Sequence, residues 1–183
     1  MEFETRAVHG GEEKNKDKFF GSTIDMASAF PIKKFGGSQD FVYSRSNSPT
    51  KQDLEKLMAN LENGKYAYVF SSGMGATNAV LTLFQSGDHV IVGADVYGGT
   101  YRIIKELYPK FGIDYTFVDT TELKNIEDAI KENTKAILVE TPSNPLMDVT
   151  DIRGTVDIAK KHGIITVVDN TFLTPYLQKP LDL

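Results

Sequence analysis

The 183-residue sequence contains no cysteine. This absence excludes disulfide scaffolds, thiolate zinc sites and catalytic thiols together. No stretch approaches the roughly 18 apolar residues that span a membrane, and Met1 to Arg6 lack the apolar core of a secretion signal. Lysine and arginine number 20 against 25 for aspartate and glutamate, so the basic excess that attracts nucleic acid is also missing. We therefore expect a cytoplasmic protein that binds neither nucleic acid nor membrane.

The composition that is present is typical of a folded domain. Hydrophobic residues make up 40% and charged residues 25% of the chain, close to the averages for globular domains. A chain of this length buries about 70% of the surface that it exposes when unfolded. The sequence therefore predicts a domain with a hydrophobic core.

The first fifty residues lack the regular pattern of the rest. Five glycines lie among polar residues there, and neither a helical nor a strand period is present. We interpret residues 1–50 as an extended arm. From Thr50 the pattern becomes regular: Thr50 and Asp53 predict a helix cap, and the apolar residues within 54–61 have helical spacing.

Short apolar runs and helical stretches alternate after the arm. The runs are rich in β-branched and aromatic residues and recur roughly every 20 to 30 residues, the length of a βαβ unit. Runs that are apolar on both faces belong to parallel sheets covered by helices. Residues 51–183 are therefore predicted to form an α/β domain, a mostly parallel open sheet with flanking helices. The predicted strands are 66–70, 89–92, 115–118, 136–139 and 164–168, and the predicted helices include 76–84, 101–111, 123–130 and 156–162, the last closed by Gly163.

Candidate binding residues follow the predicted strands directly, which is where ligands bind in open parallel sheets. Gly73 and Met74 lie in a glycine-containing turn that opens a helix, where N–H groups and the helix dipole favour a phosphate. Tyr97 lies beside two glycines and could stack on a flat ring. The turn at residues 140–145 is stiff and polar. Asp169 ends an apolar run, where an unpaired charge is costly to bury, so it requires a cationic or N–H partner.

Two cofactors compete for these residues. A dinucleotide could use Gly73 and Gly75 as the start of a GxGxxG turn, with Asp95 about 20 residues further on to bind a ribose, as in a nicotinamide oxidoreductase. The third glycine position is Asn78, however, and the other candidates are left without roles. Pyridoxal phosphate offers a phosphate, a ring that stacks and a ring nitrogen that a carboxylate can hold protonated. A non-enzymatic binding or scaffold module is a third alternative.

Six segments of the chain form a more specific pattern. They are 5–11 (TRAVHGG), 43–45 (YSR), 71–74 (SSGM), 95–100 (DVYGGT), 140–145 (ETPSNP) and 168–172 (VDNTF). In this order they resemble the transsulfuration family of pyridoxal-phosphate enzymes, which includes cystathionine γ-synthase, cystathionine β- and γ-lyases and methionine γ-lyase. The resemblance implies the large domain of fold type I, with pyridoxal 5'-phosphate as cofactor. It also implies β- or γ-elimination or γ-replacement on sulfur amino acids or an activated homoserine, in a homodimer or homotetramer.

The resemblance also implies roles for single residues. Gly73 and Met74 would bind the cofactor phosphate through their N–H groups, and Asp169 would keep the ring nitrogen protonated. Tyr97 would stack on the ring and assist proton transfer at the leaving group. The remaining assignments are Thr171 on the opposite ring face, Asn144 on the cofactor hydroxyl or the substrate carboxylate, and Tyr43 and Arg45 on the phosphate of a neighbouring subunit. No metal site is expected.

One residue that this chemistry requires is missing from the sequence. The family's lysine, which binds the cofactor as a Schiff base, lies in a Ser-x-x-Lys segment roughly 25 residues past the position of Asp169. The sequence ends at Leu183, and the family's C-terminal domain is also absent. Lys179 lies too near Asp169 and precedes a proline, so we interpret it as a surface residue. We therefore interpret the chain as an N-terminal fragment with an incomplete cofactor domain, inactive alone.

We predict that this chain alone forms no stable adduct with pyridoxal phosphate at a single lysine and eliminates no sulfur substrate, because the Schiff-base lysine is missing. Incubation with the cofactor, reduction with borohydride and mass spectrometry should show no stoichiometric adduct. One adduct on Lys179, together with turnover of cystathionine, would contradict this prediction.

Overall fold

The computed structural model describes residues 1–11 and 23–183. The chain forms two compact units, Met1–Val69 and Phe70–Leu183, so the units divide later than residue 50, where the sequence analysis separates arm and domain. Residues 12–22 of the predicted arm lie outside the described residues. No helix in the described ranges is long and apolar enough to cross a membrane.

The first unit contains two helices, α1 (Phe3–His9) and α2 (Pro49–Leu61). Gly11 allows the chain after α1 to pass close to α2, because a Cβ atom on Gly11 would lie only 2.5 Å from the main-chain oxygen of Asp53. The prediction of an extended arm is therefore wrong for Phe3–His9. Packing against α2 stabilises a helix that is too short to persist by itself.

The N-terminal cap of α2 is Ser48, and the prediction that Thr50 provides this cap is wrong. The Ser48 hydroxyl accepts the N–H of Lys51 at 3.3 Å, and Pro49 occupies the first helical position, where its missing N–H leaves no bond unmade. The hydroxyl of Thr50 instead accepts the N–H of Asp25 at 2.8 Å. Thr50 therefore holds an earlier segment against the start of the helix.

Residues 23–48 are irregular apart from one antiparallel bridge between Ala29 and Tyr43. The rings of Phe30 and Phe41 pack beside this bridge, with their centroids 5.7 Å apart. This described part of the predicted arm contains neither a helix nor a longer strand.

The second unit contains a parallel sheet. In the described part of the chain it has four strands, in the order β2-β1-β3-β4, and every neighbouring pair is parallel. The strands are β1 (His89–Gly93), β2 (Asp114–Val118), β3 (Thr134–Glu140) and β4 (Ile165–Asp169). The predicted α/β class is confirmed, as are four of the five predicted strands.

The fifth predicted strand, residues 66–70, is wrong, because this segment pairs with no strand among the residues that the structure describes. The segment is extended, and Tyr66, Tyr68 and Phe70 are exposed while Ala67 and Val69 are half-buried. The alternation of a strand is therefore present. A strand also requires a hydrogen-bonded neighbour, however, and a local pattern does not provide one.

Helices cover both faces of the sheet. The helices of this unit are α3 (Gly73–Leu81), α4 (Gly98–Arg102), α5 (Leu123–Asp128), α6 (Ile152–His162) and α7 (Thr174–Leu177). Helix α4 continues as a π-helix over Ile103–Leu107 and a 3-10 helix over Tyr108–Phe111. Gly163, with φ of 66°, closes α6 as predicted.

Successive strand residues alternate between two hydrophobic cores. Val90 of β1 and Leu138 of β3 are buried in one core, which also contains residues of α3. Ile91 and Ile137 are buried in the other core, with residues of α5 and α6. Because both faces of the sheet are covered, the middle parts of the central strands are apolar on both faces, which explains the continuous apolar runs in the sequence.

His89 joins three strands at the amino end of the sheet. Its side chain is fully buried, with Nδ1 2.8 Å from the hydroxyl of Thr134 and Nε2 2.9 Å from the hydroxyl of Thr116. Burial lowers the pKa of His89 below its ordinary value of 6.5, the charge of Lys131 lowers it further, and Asp114 opposes the shift. The folded protein therefore favours the neutral ring.

We predict that the free energy of unfolding falls as the pH is lowered from about 7 to about 5, and that His89→Gln removes part of this fall. The unfolded chain binds a proton at His89 that the folded chain disfavours, so stability is lost below the ordinary histidine pKa. Urea denaturation across this pH range measures the effect. The variant Thr116→Val keeps the His89 ring, so it should lower the free energy of unfolding but keep its fall between about pH 7 and about pH 5. The same acid dependence in His89→Gln and the wild type would contradict the prediction.

Candidate functional site

The carboxyl ends of β1, β3 and β4 lie at one edge of the sheet, and each is followed by residues that the sequence analysis singles out. Asp95 and Tyr97 follow β1, Asn144 follows β3, and Asp169 ends β4. Glu140, the last residue of β3, is the ladder partner of Asp169. The parallel topology therefore brings these separate segments to the same edge.

The start of α3 presents N–H groups that no acceptor among the described residues satisfies. The Ser72 hydroxyl caps the helix by accepting the N–H of Gly75 at 3.1 Å. Within the described ranges, the N–H groups of Gly73 and Met74 have no acceptor. A Cβ atom on Gly73 would meet nothing within 4 Å, so the space in front of this helix start is open. Such a helix start can bind an anion.

The Tyr97 ring and the Met74 side chain of α3 converge on Gly99, at the start of α4. A Cβ atom on Gly99 would lie 2.6 Å from Cε1 of Tyr97 and 2.8 Å from Sδ of Met74, so a larger residue here would displace these side chains. The Thr100 hydroxyl also approaches Met74 Sδ, at 3.9 Å. Tyr97 as a whole remains 49% exposed.

Two carboxylates connect the segments after β1 and β3 reciprocally. Oε2 of Glu140, at the end of β3, accepts the N–H of Tyr97 at 2.7 Å. In return, Oδ2 of Asp95, after β1, accepts the Ser143 hydroxyl and the N–H of Leu146, the latter at 3.1 Å. Each segment is thus held by a side chain from the other.

Glu140 is buried, with 8% of its surface exposed. Burial raises the pKa of Glu140 above its ordinary value, and the negative charges of Asp169 and Asp95 raise it further, while the N–H groups of Tyr97 and Asn144 oppose the shift. From the sequence, Glu140 is placed only in the polar turn at residues 140–145. Glu140 is a carboxylate at the end of an apolar run, and the same pattern identifies Asp169, so this pattern could also have identified Glu140 as a candidate.

Asp169 is half-buried at the end of β4, and Thr171 supplies the N–H partner that its position requires. Both the N–H of Thr171, at 3.1 Å, and its hydroxyl donate to Oδ1 of Asp169. No residue that the structure describes donates to Oδ2. Asp169 therefore has one oriented oxygen and one oxygen available to a further donor.

The turn after β3 is closed by its own hydroxyl groups. Ser143 Oγ accepts the N–H of Asp148 at 2.9 Å, and Thr141 Oγ1 accepts the N–H of Thr150 at 3.0 Å. Asn144, in the middle of the turn, is half-buried. The proximity of its backbone N–H opposes the rise in the pKa of Glu140 that burial causes.

Tyr43 and Arg45 belong to the first unit and form a pair there. The Arg45 guanidinium lies 4.6 Å from the centroid of the Tyr43 ring, and both side chains are exposed. Their contact with the phosphate of a neighbouring subunit stays a prediction.

Comparisons with known proteins give a consistent result. A family model described as Cys/Met metabolism PLP-dependent enzyme matches residues 4–183. Cystathionine gamma-lyase of Bacillus subtilis (strain 168) is 47% identical over 184 residues, which cover 100% of this chain and 48% of that protein. Cystathionine beta-lyase of Lactococcus lactis subsp. cremoris (strain MG1363) is 46% identical over 180 residues, which cover 98% of this chain and 47% of that protein.

A solved structure matches this chain equally well. The crystal structure of cystathionine gamma-lyase from Lactobacillus plantarum, complexed with L-serine, has a TM-score of 0.94 at 46% identity and covers 100% of this chain and 48% of that one. The chain therefore spans about half the length of the relatives that it matches.

We predict that Asp95→Ala lowers the free energy of unfolding by about 1–3 kcal/mol, because the Ser143 hydroxyl and the Leu146 N–H lose their shared acceptor. Urea denaturation measures the change. The control is Asp157→Ala, an exposed carboxylate on α6, which should alter stability by less than about 0.5 kcal/mol. Equal effects of the two substitutions would contradict the prediction.

Proposed function

The chain belongs to the family of Cys/Met metabolism PLP-dependent enzymes, and we propose that its second unit provides part of the pyridoxal 5'-phosphate site of an enzyme that acts on sulfur amino acids. The observation that carries the proposal is the continuous set of contacts from Met74 through Gly99 and Tyr97 to Glu140 and Asp169. These contacts link a phosphate-binding helix start, an exposed aromatic ring and a carboxylate.

The residues at this edge fit pyridoxal phosphate in three respects. Gly73 and Met74 offer N–H groups in open space, as a phosphate requires. The exposed part of the Tyr97 ring leaves surface for a planar ligand. Oδ2 of Asp169, which takes no donor from the described residues, suits a protonated ring nitrogen.

Pyridoxal phosphate, when bound, supplies an electron sink for the negative charge that forms when an amino acid loses its α-proton. In this proposal the chain's own residues bind and orient it. Asp169 holds the proton on the ring nitrogen, and Thr171, which packs on one ring face, orients the Asp169 carboxylate. Tyr97 stacks on the other ring face and moves a proton at the leaving group. Asn144 binds the cofactor hydroxyl or the substrate carboxylate.

The proposed substrates are cystathionine and related sulfur amino acids. A cystathionine gamma-lyase and a cystathionine beta-lyase match the chain at nearly equal identity, so the proposal includes both β- and γ-elimination, and γ-replacement on an activated homoserine as well. Tyr43 and Arg45 are proposed to bind the phosphate in a neighbouring subunit, since their stacked, exposed arrangement presents a cation outward. A cytoplasmic homodimer or homotetramer is part of this proposal.

The contacts of Asp95 weigh against a dinucleotide cofactor. The carboxylate that would bind a ribose accepts the Ser143 hydroxyl and the Leu146 N–H instead. The residues before Gly73 also form no paired strand in the described part of the chain, whereas the dinucleotide turn follows a strand. Neither feature conflicts with the pyridoxal-phosphate proposal.

We predict that the chain binds 4-deoxypyridoxine 5'-phosphate reversibly, and that Asp169→Ala weakens binding by at least about tenfold, because a charge-assisted hydrogen bond to the ring nitrogen is lost. This analogue lacks the aldehyde, so it does not react with surface lysines. Equilibrium dialysis measures the affinity, and Asp157→Ala, the exposed control, should bind as the wild type does.

Two results would overturn this proposal. One is specific binding of NAD by a chain that has no affinity for the analogue. The other is equal affinity of the wild type and Asp169→Ala for the analogue, which would place the ligand away from the end of β4.

A further inference from the structure

Two of the residues in the proposed cofactor site meet at Glu140, which the family resemblance assigns to no role. Its backbone pairs with Asp169 across β3 and β4. Its side chain accepts the N–H of Tyr97 at 2.7 Å. We propose that Glu140 is a positioning residue that holds Tyr97 in a defined arrangement relative to Asp169. The inference rests on the proposed cofactor site.

The ladder between β3 and β4 fixes the backbone of Glu140 relative to Asp169. Five successive residue pairs join these two strands, and the pair of Glu140 and Asp169 is the last of them. Val139, the residue before Glu140, is fully buried. The backbone of Glu140 therefore belongs to a rigid part of the sheet. A side chain can position other residues accurately only when its own backbone is held in this way.

The Glu140 side chain crosses from β3 to the segment after β1. Tyr97 lies outside regular structure, directly before α4, and Glu140 accepts its N–H. The Tyr97 ring is only half-covered, so the backbone bond carries much of its placement. Losing the buried carboxylate leaves the Tyr97 N–H unpaired, so the bond holds both partners in place.

Asp95 provides a matched comparison within the same pair of segments. It is also a carboxylate that crosses between β1 and β3, but its donors are the Ser143 hydroxyl and the Leu146 N–H. Neither donor belongs to a residue that is proposed to touch the cofactor. If both carboxylates have a purely structural role, removing either one should weaken cofactor binding equally. If Glu140 positions Tyr97, removing Glu140 should weaken cofactor binding more than removing Asp95.

Amide hydrogen exchange of the ¹⁵N-labelled chain, measured by NMR, tests the contact directly. In Glu140→Ala, the amide of Tyr97 should exchange at least about tenfold faster, because its acceptor is removed. The Leu146 amide, which Asp95 accepts, should not change. The Ala94 amide, held by the Val118 carbonyl at 2.7 Å, reports whether the sheet stays folded.

The conservative variant Glu140→Gln tests whether an acceptor oxygen without the charge is enough. A carboxamide keeps one acceptor oxygen, so the Tyr97 amide should stay protected in Glu140→Gln. In Asp95→Ala the pattern should reverse, with the Leu146 amide released and the Tyr97 amide unchanged. Unchanged exchange at Tyr97 in Glu140→Ala would overturn the proposal.

The affinity for 4-deoxypyridoxine 5'-phosphate shows whether the bond between Glu140 and Tyr97 matters for the proposed cofactor site. Glu140→Ala should lose at least about tenfold in affinity, whereas Asp95→Ala should stay within about threefold of the wild type. Equal losses in the two variants would overturn the positioning role. If the wild-type chain does not bind the analogue, the proposed function fails, and the exchange rate of the Tyr97 amide still decides whether Glu140 positions Tyr97.

Discussion

The hydrogen bond from the Tyr97 N–H to the buried carboxylate of Glu140 is the interaction on which the candidate site depends. It joins an irregular segment after β1 to the last residue of β3, the strand that pairs with β4 and so with Asp169. Burying a carboxylate is costly unless N–H groups accompany it, so the same bond that places Tyr97 also makes the burial of Glu140 tolerable. Removing either partner leaves the other unpaired.

Buried polar groups have different hydrogen-bond partners at the two ends of the sheet. At the amino end, His89 is satisfied by the hydroxyls of Thr134 and Thr116, and burial keeps the ring neutral. At the carboxyl end, carboxylates such as Glu140 and Asp169 are satisfied by backbone N–H groups of the following segments. At the amino end, hydrogen bonds between uncharged groups stabilise the fold. The carboxyl end instead has the charged groups and the unused hydrogen-bond acceptors that a ligand requires.

Much of this fold could be predicted from local patterns, because helices cover both faces of the sheet and the middle parts of its central strands are therefore apolar on both faces. Residues 66–70 show why such a pattern is insufficient: the alternation is present, but strand pairing is decided elsewhere in the chain. Helix α1 was missed for a similar reason, since its packing on α2 stabilises it. Tyr97 and Asp169 could be identified as candidates from their positions after strands. The bond of Glu140 to Tyr97 could not, because it joins segments that are far apart in sequence.

The central claim is that the start of α3, the Tyr97 ring and Asp169 form one binding site for pyridoxal phosphate. A crystal structure of the chain grown with 4-deoxypyridoxine 5'-phosphate tests it most directly. The account predicts the phosphate against the N–H groups of Gly73 and Met74, the pyridine ring over Tyr97, and the ring nitrogen within hydrogen-bonding distance of Asp169. A ligand bound elsewhere on the chain, or one whose ring nitrogen faces away from Asp169, would contradict the account.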